Sequence, residues 1–195
     1  VYLNNSFLPG LLQLMILLVT VFSIGSEMKR ATSREWLRTA DDSIIIAITG
    51  KLIPQTIIFF SMGLLYLSLL YGYLHFPMHN SIWHMIFASQ SFAVIIMCFA
   101  PSLRIGLSVG GLVGVLSLSI AGFSFPVPAM YLPFQAISYV LPVRHYFLIY
   151  VDQALNGIPL YYSRVHYVAL ILFAVASTPL LPRLKKALMR QVYVP

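Results

Sequence analysis

The amino-acid sequence predicts an all-α fold: a polytopic membrane helix bundle with five transmembrane helices. Three observations predict it: 59% of the 195 residues are hydrophobic, only 9% are charged, and the mean hydropathy is +0.87. A soluble domain carries roughly 25% charged residues, so this chain could not cover its own surface in water. The composition therefore argues against a soluble enzyme or a nucleic-acid-binding protein, in spite of the net charge of +7.

Five apolar segments have the length of a membrane span, namely residues 8–24, 52–74, 82–100, 105–122 and 165–181. At about 1.5 Å per residue, helices of this length extend roughly 26 to 34 Å, which matches the hydrocarbon core of a bilayer. The second span follows an entry segment, residues 44–50, and opens with Gly50, Lys51 and Pro54. Proline is tolerated near a helix start because few backbone donors there need partners.

The distribution of lysine and arginine predicts the orientation of these spans. With the N-terminus outside, ten basic residues fall on the inner side and two on the outer side, which accounts for all twelve. The inner ten are Lys29, Arg30, Arg34, Arg38, Lys51, Arg104, Arg183, Lys185, Lys186 and Arg190, and the outer two are Arg144 and Arg164. Because cytoplasmic loops are enriched in basic residues, we expect a cytoplasmic C-terminus and Val1 on the external side. No signal peptide is visible, so we also expect a further span upstream of Val1.

Residues 26–43 are rich in charge and predict an amphipathic helix at the cytoplasmic interface. Arg30, Arg34 and Arg38 recur every fourth residue and would share one helical face, with Trp36 anchored at headgroup depth. Two interpretations stay open. The helix is either held at the interface by anionic lipid or serves as a docking surface for a cytoplasmic partner.

The fourth span contains a stripe of small residues, Gly106, Gly110 and Gly114, with Gly111 beside it. Small residues at every fourth position let another helix approach closely, which is how helices associate in lipid. The stripe predicts packing within the chain, a subunit interface, or a flexible helix that lines a pathway.

Residues 123–157 are apolar and aromatic but contain several prolines, among them Pro126, Pro128 and Pro133. Such closely spaced prolines cannot occupy one continuous helix, so we predict broken or re-entrant helices in the outer leaflet, sheltered by other protein. Pro142 then opens a short amphipathic helix that ends near Asn156.

Two polar groupings carry weaker signals. His75 and His79 have a helical metal-ligand spacing and His84 follows, but Pro77 interrupts that geometry, so interfacial histidines are the favoured interpretation. Arg144, His145 and Asp152 could share one helix, and an interfacial polar face is favoured over a hydrolase because no activated serine is indicated. We therefore assign no catalytic, cofactor-binding or metal-binding residue. Four basic residues near the C-terminus are interpreted as topology and lipid anchors: Arg183, Lys185, Lys186 and Arg190.

Three stretches resemble the ABC-2 type transporter permeases, in the subgroup with a large external domain after the first span. The first runs from Ser26 to Ala40, where Thr32, Leu37 and Thr39 fit the pattern and Ala31, Arg34 and Ala40 depart from it. The second is Gly50-Lys51 with Pro54. The third and most specific is Gly122, Pro126 and Met130, continued by Ser138, Pro142, His145 and Tyr146. The resemblance covers essentially all 195 residues.

The resemblance implies one ABC-2 type transmembrane domain over residues 1–195, the C-terminal part of a permease whose first span and external domain lie upstream of Val1. It implies a bacterial cytoplasmic (inner) membrane location, a second permease subunit in a homo- or heterodimer, and an ABC ATPase subunit that holds ATP and Mg. It also allows a periplasmic adaptor protein. The implied ATPase-coupling helix comprises Glu27, Lys29, Arg30, Thr32, Arg34, Glu35, Trp36, Leu37 and Arg38. The implied external re-entrant segment contains Gly122, Pro126, Pro128, Met130, Pro133, Pro142, Arg144 and His145.

The expected function is therefore export of an amphipathic or apolar substrate, drug-like or lipid-linked, by a transport subunit that is not itself an enzyme. Ion-coupled carriers place acidic residues or histidine at the membrane midplane, and none of the five predicted spans contains Asp or Glu. The chain also lacks the G-x-x-x-x-G-K-[ST] phosphate loop, so ATP is expected in a separate subunit. An ion-driven carrier or channel, and a membrane assembly protein without transport activity, are the alternatives.

Overall fold

The computed structural model describes residues 2–68, 83–122, 126–152, 156 and 159–190, and these residues are helical with no strand among them. The first five helices are α1 (Tyr2–Lys29), α2 (Ser33–Thr39), α3 (Ile44–Leu67), α4 (Trp83–Phe99) and α5 (Leu103–Ile120). Of these, α2 is short and the other four are longer. A 3₁₀ turn (Val127–Ala129) leads to α6 (Leu132–Tyr139) and α7 (Pro142–Tyr150). The chain continues with α8 (Leu160–Ala176), a second 3₁₀ turn (Thr178–Leu180) and α9 (Leu181–Arg190).

In the described ranges, four helical stretches are long and apolar enough to cross a membrane: Gly10–Lys29, Ile44–Leu65, Leu103–Ile120 and Tyr161–Arg190. The helix of the predicted third span, α4, has a shorter apolar part, Ile86–Phe99. The predicted all-helical fold is therefore confirmed among the described residues, and four helices are compatible with a multi-pass membrane protein. The number of five spans stays a prediction.

Helix α4 is the most enclosed of the long helices, since it packs between α1 and α8 and is buried along most of its length. Helix α1 also packs along α5, and α8 also packs against α7. The outward faces of the bundle are apolar, as shown by Ile57 on α3, Leu112 on α5 and Leu172 on α8, which are 62%, 63% and 69% exposed. Exposed apolar surface of this extent is typical of a lipid-facing protein rather than one surrounded by water.

Polar side chains between α1, α3 and α4 form hydrogen bonds with one another. Gln55 Nε2 donates to Thr20 Oγ1 over 2.8 Å, and Thr56 Oγ1 donates to Gln90 Oε1 over 2.9 Å. Because no water satisfies polar groups in hydrocarbon, such bonds join helices within a bilayer.

The contacts between helix ends place one set of termini together. Gly25 near the end of α1 lies against Leu103 at the start of α5, and Arg183 of α9 lies 5.0 Å from the ring of Phe99 at the end of α4. Lys51 in α3 contacts Glu27. We call this the basic end, because the ten basic residues predicted for the inner side belong to the segments that meet there. The opposite end, where α5 finishes and α8 begins, is the distal end.

The structure differs from the prediction at the start of α3. A single helix runs from Ile44 through Pro54, so residues 44–50 are part of that helix and Pro54 lies in its interior. A proline ring crowds the carbonyl of the residue four positions earlier, which here is Gly50, an exposed residue with open space around it. The predicted end of this span, near Leu74, lies outside the described residues.

Candidate functional site

The segment between α1 and α3 is bent rather than straight, and we call residues 27–43 the elbow. Helix α1 continues to Lys29, and Ala31 then takes a left-handed conformation (φ 59°) that ends it. After α2, Asp41 and Asp42 repeat that conformation (φ 53° and 55°) and turn the chain into α3. The predicted single amphipathic helix over residues 26–43 is therefore wrong, because two left-handed turns interrupt it.

Glu27 organises the inner side of the elbow. Lys51 Nζ of α3 lies 2.5 Å from Glu27 Oε1, and the Thr32 hydroxyl donates to the other carboxylate oxygen. The same ammonium lies 4.7 Å from the centre of the Trp36 ring. One carboxylate and one ammonium therefore connect the end of α1, helix α2 and the start of α3.

The predicted coupling residues divide into two groups. Leu37 is fully buried in an apolar cluster at the basic end, to which α1, α3, α4 and α9 also contribute side chains. Thr32 and Trp36 are half-buried. The charged members, except Glu27, point outward and are exposed: Lys29, Arg30, Arg34, Glu35 and Arg38. Arg30 lies beyond the end of α1, so it does not share a helical face with Arg34 and Arg38, although all three are exposed on the elbow.

Helix α9 is clamped onto the elbow, which the sequence analysis did not predict. Arg34 Nη2 donates to the Met189 carbonyl over 3.2 Å, and Lys185 Nζ donates to the Asp42 carbonyl over 2.5 Å. Leu181, Leu184 and Leu188 are buried in the same cluster as Leu37. Their spacing of three and four residues is the sequence signal for an amphipathic helix, whereas the sequence analysis interprets only the basic residues of this segment, as topology and lipid anchors.

The glycine stripe of α5 lies against α1. A methyl group added at Gly110 would come within 2.8 Å of Leu17 Cδ2, and one added at Gly106 would meet Met97 Sδ at 2.8 Å and Val21 Cγ1 at 3.0 Å. At Gly114 the added group would overlap the end of the Leu14 side chain, whereas at Gly111 its nearest neighbour is 3.9 Å away. In this chain the stripe therefore accommodates close approach of α1.

The predicted re-entrant segment consists of two unlike helices. Gly122 has φ +106°, and Pro126 and Met130 flank the 3₁₀ turn that contains Pro128. Pro133 and Pro142 each lie in the first turn of a helix, α6 and α7 respectively. Helix α6 is mostly exposed and apolar, with Leu132 81% exposed, whereas α7 is buried from Pro142 to Phe147.

The buried face of α7 carries two ionisable side chains. Arg144 is 7% exposed, its Nη1 donates to Ser138 Oγ over 3.0 Å, and its guanidinium lies 4.2 Å from the centre of the Tyr139 ring. His145 contacts His166 of α8, with 3.3 Å between their Nδ1 atoms. The structure thus buries both residues against other helices, so they do not form an exposed polar face. Their position at the membrane interface stays a prediction.

The surroundings of His145 fix its tautomer. Its Nε2 lies 2.9 Å from the Tyr139 carbonyl, which can only accept, so Nε2 carries the hydrogen in the neutral ring. Nδ1 then accepts from the Nδ1–H of His166. Burial lowers the pKa of His145, and the charge of Arg144 adds to this effect, whereas the hydrogen bond to Tyr139 opposes it. His166 was not singled out from sequence because its contact spans 21 residues.

Asp152 is the one acidic residue outside the elbow, and it accepts a hydrogen bond from Ser163 Oγ over 3.1 Å. The histidines His75 and His79 lie outside the described residues, as does the side chain of His84. Among the side chains that the structure describes, no group of three His, Cys, Asp or Glu could hold a metal ion.

No protein-family model, curated protein or solved structure matches this chain.

Proposed function

We propose that this chain is the membrane-spanning permease subunit of an ATP-driven exporter of the ABC-2 type, which moves an amphipathic or apolar substrate out of the cytoplasm. The observation that carries the proposal is the elbow, an exposed charged surface that is joined to two long apolar helices. In this reading the elbow is the surface on which a separate ABC ATPase subunit, holding ATP and Mg, docks.

The contacts beneath the elbow suit a part that transmits force. The Glu27–Lys51 pair is 23% and 21% exposed at its two side chains, and it connects α1 to α3 directly. Leu37 anchors α2 in the apolar cluster below it. A push on α2 would therefore displace the ends of α1 and α3 together rather than bend a loose loop.

The outward charge of the elbow suits an acidic partner surface. Four of its exposed residues are basic, Lys29, Arg30, Arg34 and Arg38, and α9 adds exposed Arg183, Lys186 and Arg190 beside them. The exposed acidic residues are Glu35, Asp41 and Asp42, so the basic ones are in excess. A surface of one dominant sign steers a complementary partner and fixes its register.

The positions of the acidic residues favour a partner ATPase as the energy source. The five in the chain are Glu27, Glu35, Asp41, Asp42 and Asp152. Four of them belong to the elbow and the fifth follows α7, so α3, α4, α5 and α8 contain none. Carriers that bind a coupling cation place carboxylates inside their helices, and a partner ATPase supplies energy without them.

The chain would lie in the bacterial cytoplasmic membrane with the basic end in the cytoplasm, paired with a second permease subunit, and a periplasmic adaptor protein would fit the distal end. The basic end carries the residues that favour the cytoplasmic side.

The test is co-expression of this chain with the ABC ATPase subunits of the same genome, followed by co-purification. Replacing Arg30, Arg34 and Arg38 with glutamate should abolish recovery of the ATPase, because the exposed charge of the elbow is reversed. A single-site comparison sharpens this test. Arg38→Glu should weaken recovery several-fold, whereas Arg104→Glu makes the same charge change at an exposed residue of the basic end outside the elbow and should leave it unchanged.

Recovery of the ATPase by the triple variant at the wild-type level would contradict docking on the elbow. Reconstitution in liposomes separates the alternatives. Substrate movement driven by an ion gradient without ATP would indicate a carrier, and partner binding without substrate-stimulated ATP hydrolysis would indicate an assembly protein.

A further inference from the structure

Arg144 is a buried cation whose charge no described residue balances. Its guanidinium offers five N–H donors, and among the described residues its side chain donates one hydrogen bond, from Nη1 to Ser138 Oγ. Its Nε is buried and has no hydrogen-bond partner among the described residues. A buried arginine is normally paired with a carboxylate, since an uncompensated charge removed from water is strongly unfavourable.

The chain itself cannot supply that carboxylate. Four of its five acidic residues belong to the elbow at the basic end, whereas Arg144 packs at the distal end, where its neighbour Val143 contacts Ile120 at the end of α5. The fifth, Asp152, lies eight residues further along the helical chain, about 12 Å away by helical rise, and is bonded to Ser163. The one salt bridge within the described ranges joins Lys51 to Glu27.

The position of Arg144 in α7 adds to the unbalanced positive potential. The helix begins at Pro142 with no acidic residue in its first turn, and Leu141 before it provides no side-chain cap. A helix N-terminus carries about half a positive charge and favours an anion, so a cation in the first turn is unfavourable unless an anion joins it. The neighbouring His145 is neutral and donates to a carbonyl, so it does not compensate the charge.

We propose that Arg144, in the first turn of α7, forms a binding site for a phosphate group at the distal end of the bundle. A guanidinium presents two parallel N–H groups that match two oxygens of a phosphate, and its Nε is one of the donors for such a pair. The phosphate comes either from the headgroup of a phospholipid next to the bundle or from a free phosphate-bearing solute. Tyr139 beneath the guanidinium and Ser138 on Nη1 hold the side chain in place. The site does not depend on the transport function proposed above.

The site is tested with the full chain in dodecyl maltoside, a detergent without phosphate, by measuring the unfolding temperature. One arm adds inorganic phosphate, and the other adds phosphatidylglycerol, with diacylglycerol as the lipid that lacks phosphate. Native mass spectrometry counts the lipids retained per chain. The variants are Arg144→Met, which keeps length and removes charge, and Arg144→Lys, which keeps charge and removes the fork. Arg164→Met is the matched control, because Arg164 also lies 4.2 Å from a tyrosine ring, that of Tyr161, but is exposed.

The wild type and Arg164→Met should be stabilised by at least one phosphate probe and not by diacylglycerol. Arg144→Met should bind the probe roughly ten- to a hundred-fold more weakly, as expected for the loss of a charged hydrogen-bond donor. Without ligand it should unfold at or above the wild-type temperature, because an unbalanced buried charge is gone. With the probe present, Arg144→Met should unfold below the wild-type temperature. This change in which protein is more stable separates a ligand site from an arginine that only supports the fold.

The arms identify the source. Stabilisation by phosphatidylglycerol alone indicates a lipid headgroup, and stabilisation by inorganic phosphate as well indicates a site open to solutes. The proposal is overturned if neither probe stabilises the wild type, if Arg144→Met gains as much as the wild type, or if Arg164→Met loses as much. If Arg144→Met does not fold, Arg144→Lys provides the test. Binding of the phosphate probe by Arg144→Lys with wild-type affinity would also overturn the proposal.

Discussion

The close approach of α1 and α5 above the elbow gives the sharpest structural prediction, the substitution Gly25→Ala. A methyl group at Gly25 would lie 2.8 Å from Leu103 Cδ1 and 3.0 Å from Leu103 Cα. The leucine side chain could turn away, but its backbone could not, because Ser102 caps α5 there by accepting from the Ile105 amide. The strain therefore has to move one helix against the other.

The magnitude follows from two opposing terms. Alanine is favoured over glycine in a helix interior by about 1 kcal/mol, and overpacking a closely packed contact costs about 1–3 kcal/mol. Gly111→Ala in α5 receives the same propensity gain, but its methyl group would be 3.9 Å from the nearest side-chain atom. We expect Gly111→Ala to be stabilising by about 0.5–1 kcal/mol. Gly25→Ala should be less stable than Gly111→Ala by about 2 kcal/mol, which isolates the steric term.

The assay is unfolding in dodecyl maltoside micelles by titration with sodium dodecyl sulfate, followed by circular dichroism of the helices. Gly114→Ala provides an intermediate case, since its methyl group would overlap only the end of the Leu14 side chain, which can change rotamer. If Gly25→Ala and Gly111→Ala unfold within about 0.5 kcal/mol of one another, a difference too small for a steric clash, the close approach of α1 to α5 is not as described.

Two further predictions concern charged and titratable groups. Glu27→Gln should destabilise the fold by about 1–3 kcal/mol because it leaves Lys51 without its carboxylate. The control, Glu35→Gln at an exposed residue, should change stability by less than about 0.5 kcal/mol. A Glu27–Lys51 double-mutant cycle in the same assay should show coupling, and additive effects would refute the ion pair. Burial lowers the pKa of His145, so its contribution to stability should be complete above the unfolded-state pKa of about 6.5 and should decline as the pH falls below that value. His145→Gln should therefore flatten the decline of stability with falling pH. Equal slopes of stability against pH for the variant and the wild type would contradict the burial.

Much of the fold was predictable because lipid imposes a simple rule on sequence. Runs of apolar residues long enough to span a bilayer coincide with α1, α3, α5 and α8, and the proline-rich stretch does form broken helices. The rule says nothing about backbone reversal. Ala31, Asp41 and Asp42 adopt left-handed conformations that residue spacing does not reveal, so the sequence predicts one amphipathic helix there.

The candidate sites were predictable only where they are local in sequence. Lys51 is predicted near one end of its span, but its contact with Glu27 crosses 24 residues and depends on how α1 and α3 pack. The clamp of α9 onto the elbow joins Arg34 to Met189 across 155 residues. Pairings over such separations are fixed by the packing of whole helices, so the pattern of one segment cannot indicate them.

The two ends of the bundle differ in how their charges are balanced, and this difference separates two kinds of surface. At the basic end Glu27 neutralises Lys51 inside the elbow, and the remaining charged residues of the elbow face outward, where water or a partner protein can solvate them. At the distal end Arg144 is buried and forms no salt bridge within the described residues, which is the basis of the phosphate site that we propose. An exposed charged surface suits a large partner that binds and leaves, whereas one enclosed cation suits a small anion held in place. A phosphate probe should therefore act through Arg144 and leave the elbow unaffected, and charge reversal on the elbow should leave phosphate binding intact.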